Sequence, residues 1–170
     1  AKPVRMALRV RVPYWATKDN VATLNGQPVA GMPKAGSYLV VDRTWSDGDT
    51  LALTLPMSLH VQAMPGDDTL QAVMYGPLVL AGRKGTAGVT PANLRAEPTA
   101  PRTVPEFKNP DLPVAPVIRA TSDDPSSWLA PVAGESLHFR TVGQDANISF
   151  VPLHTLFDER YGVYWKVDRA

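Results

Sequence analysis

Hydrophobic and polar residues alternate with period two over much of the first half of the chain. Met6, Leu8, Val10 and Val12 fall on one side of an extended backbone, and Ala7, Arg9 and Arg11 on the other. Successive side chains of a strand point to opposite faces, so this stretch predicts a strand with one buried and one charged face. Residues 21–25 predict a second strand. Asn25-Gly26 then predicts a tight hairpin, since both residues tolerate positive φ. Residues 37–43 are rich in β-formers, and Ser46-Asp47-Gly48-Asp49 predicts another hairpin turn. Leu51, Leu53 and Leu55 alternate with Ala52 and Thr54, and the alternation resumes beyond Pro56 with Met57, Leu59 and Val61. A proline inside such a run predicts a bulge, a bend or an edge position. Residues 70–75 and 77–81 continue the pattern, parted at Gly76-Pro77. Leu78-Val79-Leu80-Ala81 is apolar on both faces and predicts a central strand covered on both sides.

Residues 84–125 differ, holding eight of the seventeen prolines and little periodicity. Thr90-Pro91 predicts a helix start running to Arg95, and Asp124-Pro125 predicts a single helical turn. The rest of this segment predicts an extended connector, long enough to mark a boundary. From Leu137 the strand signal returns, with Leu137, Phe139 and Thr141 against His138 and Arg140, then residues 147–151 and 160–167. The expected fold is all-β: an antiparallel β-sandwich of jelly-roll type, as one body or two small subdomains, with one or two short helical turns. The expected organisation is a first β region over 1–83, a proline-rich connector over 84–125, and a C-terminal β region over 126–170 that completes or extends the sandwich.

Composition narrows the function classes. Apolar residues make up 44% of the chain, enough for a packed core. The net charge of +1 provides no electrostatic footprint for nucleic acid or for an acidic membrane surface. No apolar run approaches the roughly 20 residues that span a bilayer as a helix. Zero cysteines exclude disulfides, thiolate zinc sites and cysteine nucleophiles within the chain. The chain opens on Ala1-Lys2-Pro3, without an initiator Met, and reads as a piece of a longer protein, so its compartment stays open between cytoplasm, periplasm and secretion.

The residues that carry chemistry are few. His60, His138 and His154 have no paired spacing for a metal, and Asp67-Asp68 and Asp123-Asp124 are turn aspartates without further regularly spaced oxygen ligands. No nucleophile elbow and no glycine-rich phosphate loop occur, so no catalytic residue, metal or cofactor is expected. Asp158-Glu159 is the tempting carboxylate pair for glycoside chemistry, but neighbours on a strand point apart. Trp15 and Trp45, at strand ends or turns, are candidate stacking platforms for sugar rings; the rival reading closes a core or a domain contact with them. Arg9 and Arg11, beside Arg5, line the solvent side of the first strand and are candidates for a domain interface, together with Tyr75, Arg160 and Tyr161.

Several blocks resemble one enzyme family. Arg11-Val12-Pro13-Tyr14-Trp15-Ala16 is similar to an Arg-Ile-Pro-x-Trp-Ala opening. Leu24-Asn25-Gly26-Gln27-Pro28-Val29 is similar to a Val-Asn-Gly-x-Pro-Val hairpin. Gly36-Ser37-Tyr38, then Arg43-Thr44-Trp45 and Gly48-Asp49, follow in the same order. Tyr75-Gly76-Pro77-Leu78, Ser127-Trp128-Leu129, Phe139-Arg140-Thr141 and Asp158-Glu159-Arg160-Tyr161 with Val163-Tyr164-Trp165 complete the match. Together these resemble the C-terminal β region of glycoside hydrolase family 127, the β-L-arabinofuranosidase-like enzymes of bacteria. The resemblance implies a parent with an (α/α)6 catalytic barrel, in which a zinc-bound cysteine is the nucleophile and a glutamate the acid/base. None of those residues maps onto this chain. It also implies a non-catalytic role in bracing the barrel, with the barrel as partner and a homodimer as a further one. The alternative is a carbohydrate-binding module with a glycan as partner. One departure stands out: Phe157 occupies a position where the family often has His.

Overall fold

The computed structural model describes residues 2–89 and 115–169. These form fourteen strands and two single 3-10 turns, so the chain is all-β as the alternation predicts. It divides into two compact units, 1–58 and 59–170. The division falls near Pro56, where the alternating run breaks into two strands belonging to different units.

In the first unit, β1 (Val4–Arg11) and β4 (Tyr38–Trp45) form an antiparallel ribbon, paired from Val4↔Trp45 to Arg11↔Tyr38. Leu8, Val10 and Val41 are half-buried and Leu39 is buried, while Arg5, Arg9 and Arg11 are exposed. The second sheet is β3-β2-β5, from β2 (Val21–Leu24), β3 (Gln27–Pro28) and β5 (Leu51–Thr54). Asn25 and Gly26, at φ 51° and 79°, make the expected hairpin between β2 and β3. The turn at residues 46–49 forms, but it joins no hairpin: β4 pairs with β1 and β5 with β2. Asp49 ties that turn down. Its carboxylate accepts from Ser46 N (2.8 Å) and Asn25 Nδ2 (2.7 Å), with Arg43 at 3.4 Å.

The second unit is one nine-stranded sheet. It comprises β6 (Leu59–Met64), β7 (Asp67–Tyr75), β8 (Leu78–Arg83), β9 (Ile118–Ala120), β10 (Leu129–Pro131), β11 (Phe139–Thr141), β12 (Ser149–Pro152), β13 (Tyr161–Gly162) and β14 (Tyr164–Arg169). All its pairings are antiparallel except β14 with β9. Strands β6 to β8, read from sequence as part of a first region ending at 83, belong here to the same sheet as the C-terminal strands, with β7 and β8 paired directly to them. Strand β9 lies inside the stretch read as connector, and the helix expected from Thr90 to Arg95 lies outside the described residues. Asp124 does cap the short turn Pro125–Ser127, its Oδ1 accepting from Ser126 N at 2.9 Å. Leu137 does not continue a strand; it sits at φ 59°, and β11 begins two residues later.

The core explains the curvature of this sheet. Ile118 on one terminal strand and Leu129 on the other belong to one buried cluster with Val73, Leu80, Phe139, Phe150, Trp128 and Trp165. A flat sheet of this width would hold its end strands far apart, so the sheet curls until they share a core. β8 lies between neighbours on both edges, with Leu80 and Ala81 fully buried on opposite faces, as its apolar run predicts.

The closing strand is set by one slot. The β7–β8 hairpin pairs only from Val73↔Leu80 to Tyr75↔Leu78 and then splays. β13 and β14 enter the gap, pairing first with β8 (Gly162↔Gly82) and then with β7 (Trp165↔Gln71). The Trp165 ring lies across Gly82, where an added Cβ would overlap its Cζ2 atom, and a Cβ on Gly162 would come within 3.1 Å of the same atom. Its indole N–H donates to Gly162 O at 3.0 Å, and Phe150 packs at 5.4 Å between ring centroids.

Two outcomes follow for stability. Gly82→Ala overpacks the slot and should destabilise by about 1–3 kcal/mol, and Trp165→Ala by about 3–5 kcal/mol, both read from urea unfolding. Asp49 is held below its ordinary carboxylate value of 3.8, first by the Ser46 N–H, then by Asn25, with a smaller pull from Arg43. A depressed folded-state pKa contributes stability above the unfolded value that disappears as pH falls through the folded one. Thermal melts should therefore lose stability below about pH 4, and Asp49→Asn should flatten that acid limb.

Candidate functional site

The two candidate platforms do not converge. Trp45 sits opposite Val4 at one end of the ribbon, whereas Trp15 follows Arg11 and Val12 at the other. Seven residue steps along β1 separate those ends by about 23 Å. Trp45 is half-buried, its indole N–H donates to Met6 O at 3.2 Å, and the Arg43 guanidinium lies over its ring at 5.4 Å. One face and the polar edge of that ring are thus already engaged. Trp15 lies in the turn that begins at Pro13, half-buried, where Ala16 N donates to Pro13 O at 3.2 Å. The other two tryptophans, Trp128 and Trp165, are core residues at 3% and 1% exposure.

The interface candidates separate between the units. Arg9 and Arg11 share the exposed face of β1, where the Arg9 guanidinium lies 5.6 Å from the Tyr38 ring centroid. Arg5 on the same face pairs with Asp42 at 3.0 Å. This leaves a mixed surface of cations with Tyr38 and Val40, both about half exposed. In the second unit, Tyr75 packs its ring on Phe139 at 5.1 Å and borders the core. Arg160 is engaged through its backbone, which bonds Lys84 and Gly85 on both sides. Tyr161 pairs with Arg83 and stays exposed. Lys84, beside Arg160, lies 5.3 Å from the Trp165 ring; burial, and then the Arg160 charge, hold its ammonium below the ordinary value.

The second unit also holds a groove of about 430 Å³, lined by Arg83, His138, Thr155, Phe157, Asp158 and Glu159 among others. Asp158 and Glu159 do not lie on a strand: they occupy a bend before β13, and both border this groove, so the opposite-face rule does not apply to them. Glu159 accepts from Arg83 Nε at 2.6 Å. Glu135 holds His138 through Nδ1. Phe157 is 76% exposed. Nothing in the alternation marks this groove; the one available signal is the aromatic Phe157 set beside two carboxylates in a non-periodic stretch. Among the described residues, no three His, Asp or Glu side chains cluster to hold a metal ion.

Residues 60–167 match the family model DUF4986, described as a domain of unknown function, and the chain belongs to that family. Residues 1–57 match the model for the beta-L-arabinofuranosidase GH127 middle domain. The border between these two matches coincides with the border between the structural units. Three solved structures are similar over nearly the whole chain. A glycoside hydrolase is 19% identical at a TM-score of 0.59, over 97% of this chain and 28% of its own. A GH127 beta-arabinofuranosidase is 16% identical at 0.55, over 98% of this chain and 28% of its own. A GH127 beta-L-arabinofuranosidase from Geobacillus stearothermophilus T6 is 15% identical at 0.58, over 99% of this chain and 27% of its own. The chain thus spans just over a quarter of the length of each. No curated protein matches it. The resemblance to family 127 carried by the sequence blocks is met in the first unit by a family model and over both units by a shared fold.

Trp45→Ala separates the two readings of that residue. Loss of a half-buried ring and its hydrogen bond to Met6 should cost about 1–2 kcal/mol in urea unfolding, with glycan binding unchanged.

Proposed function

We propose that this chain is a non-catalytic support region of a glycoside hydrolase of the GH127 arabinofuranosidase kind. The observation that carries the reading is the pairing of a whole-chain likeness to such enzymes with a sequence that holds no cysteine. The thiolate nucleophile that the family resemblance implies must therefore be supplied from elsewhere. The region's work is to hold and brace the catalytic barrel. The Arg9–Arg11 face of β1 is the docking surface we assign to the first unit. Its guanidiniums present fixed, planar donors to acidic groups, and Tyr38 beside them supplies apolar area. Tyr161 and Arg160 are the corresponding contacts of the second unit.

The test is association with the parent's catalytic barrel, produced separately. The chain alone should release no sugar from an arabinofuranoside, should bind the barrel in solution, and should raise the barrel's melting temperature. An Arg9→Glu, Arg11→Glu double variant should weaken that association about tenfold or more while the chain stays folded. Sugar release by the chain alone, or a barrel indifferent to its presence, overturns the reading.

A further inference from the structure

The groove beside Phe157 has no part in the support reading, yet its chemistry is specific. A phenylalanine 76% exposed leaves its ring faces in water, which costs apolar hydration with no packing in return. The side chains around it are polar and already oriented. Arg83 is fixed by Glu159 through Nε at 2.6 Å, which leaves its terminal N–H groups directed elsewhere. Thr155 Oγ1 donates to Pro152 O at 2.7 Å and so keeps its lone pairs as acceptors. Glu135 holds His138 through Nδ1, which fixes the imidazole ring at the groove wall. Asp158, exposed in the bend, adds a carboxylate.

An apolar ring flanked by donors and acceptors in a space of about 430 Å³ sets the class of ligand. Arg83 is neutralised by Glu159, and Asp158 leaves a negative excess, so a phosphate or another anion is repelled. A purely apolar ligand would cover the exposed Asp158 carboxylate without offering it a partner. A neutral ring with C–H groups on one face and hydroxyls on its rim satisfies both halves: the face covers Phe157 and adjacent hydroxyls bridge to the carboxylate oxygens. We propose that this groove is a sugar-binding site, with Phe157 as the stacking platform and Asp158, Glu159 and Arg83 as the hydroxyl ligands. The proposal is independent of the support role, since it needs no barrel, and it places recognition away from Trp15 and Trp45.

Methyl β-L-arabinofuranoside and arabinofuranosyl oligosaccharides, with cellobiose as a second neutral probe, would be titrated into the 170-residue chain and followed by NMR shifts and calorimetry. Saturable binding is expected, with shifts at Phe157, His138 and Thr155. Phe157→Ala, an exposed position whose loss leaves the fold intact, should reduce affinity at least tenfold. Asp158→Asn should reduce it severalfold, and Trp15→Ala and Trp45→Ala should leave it unchanged. Absence of saturation by every probe at millimolar concentration overturns the proposal. So does binding that survives Phe157→Ala or disappears with either tryptophan.

Discussion

The second unit depends on an indole that two glycines make room for. Trp165 can lie across the sheet only because neither Gly82 nor Gly162 carries a side chain. That ring fills the space where β7 and β8 diverge, and its N–H is satisfied by the Gly162 carbonyl beneath it. Strand divergence, ring and glycines therefore form one arrangement, in which a side chain at either glycine would press on the ring. The curl of the sheet follows, because Phe150 on β12 and Val167 on β14 meet the same buried cluster as the ring. Lys84 closes the outer end with its aliphatic stem and a cation over the indole.

The first unit is built differently. Its fully buried apolar residues, among those described, are Val12, Ala16, Ala22 and Leu39, two of them alanines. A unit of this size with so small an interior gains little from hydrophobic burial. Polar ties do part of the work, with Asp49 joining the β4–β5 turn to the β2–β3 turn through Asn25. Val4, Met6, Tyr38 and Val40 remain open to solvent. The second unit, by contrast, carries its own core.

Local geometry was legible in the sequence; strand partners were not. The strand over Met6 to Arg11, the positive-φ pair Asn25-Gly26, the doubly apolar run at Leu78 and the Asp124-Pro125 cap each report on a few neighbouring residues, and each is found where it was expected, except that Met6, expected on the buried face, is exposed at the ribbon's open end. The turn at residues 46–49 looks from sequence like the Asn25-Gly26 hairpin, yet its flanking strands join different sheets. A turn signal fixes a change of direction and says nothing of the register beyond it. The four tryptophans are alike on paper. What sends Trp165 inward is a glycine some eighty positions earlier, invisible to any local pattern. The groove escaped for a related reason: Asp158 and Glu159 share it because the chain bends there, and periodicity describes only regular stretches.

The slot around Trp165 also has a consequence for how this protein is made. Strands β7 and β8 leave the ribosome well before the tryptophan that completes them, by roughly 4–16 s at ordinary elongation rates. During that interval the splayed ends of the hairpin carry unpaired backbone groups beside Val73 and Leu80, a surface on which another nascent chain can pair. The vulnerable period of this polypeptide is thus set by the distance along the messenger between two codons, those for Gly82 and Trp165, and a ribosome that pauses between them prolongs it.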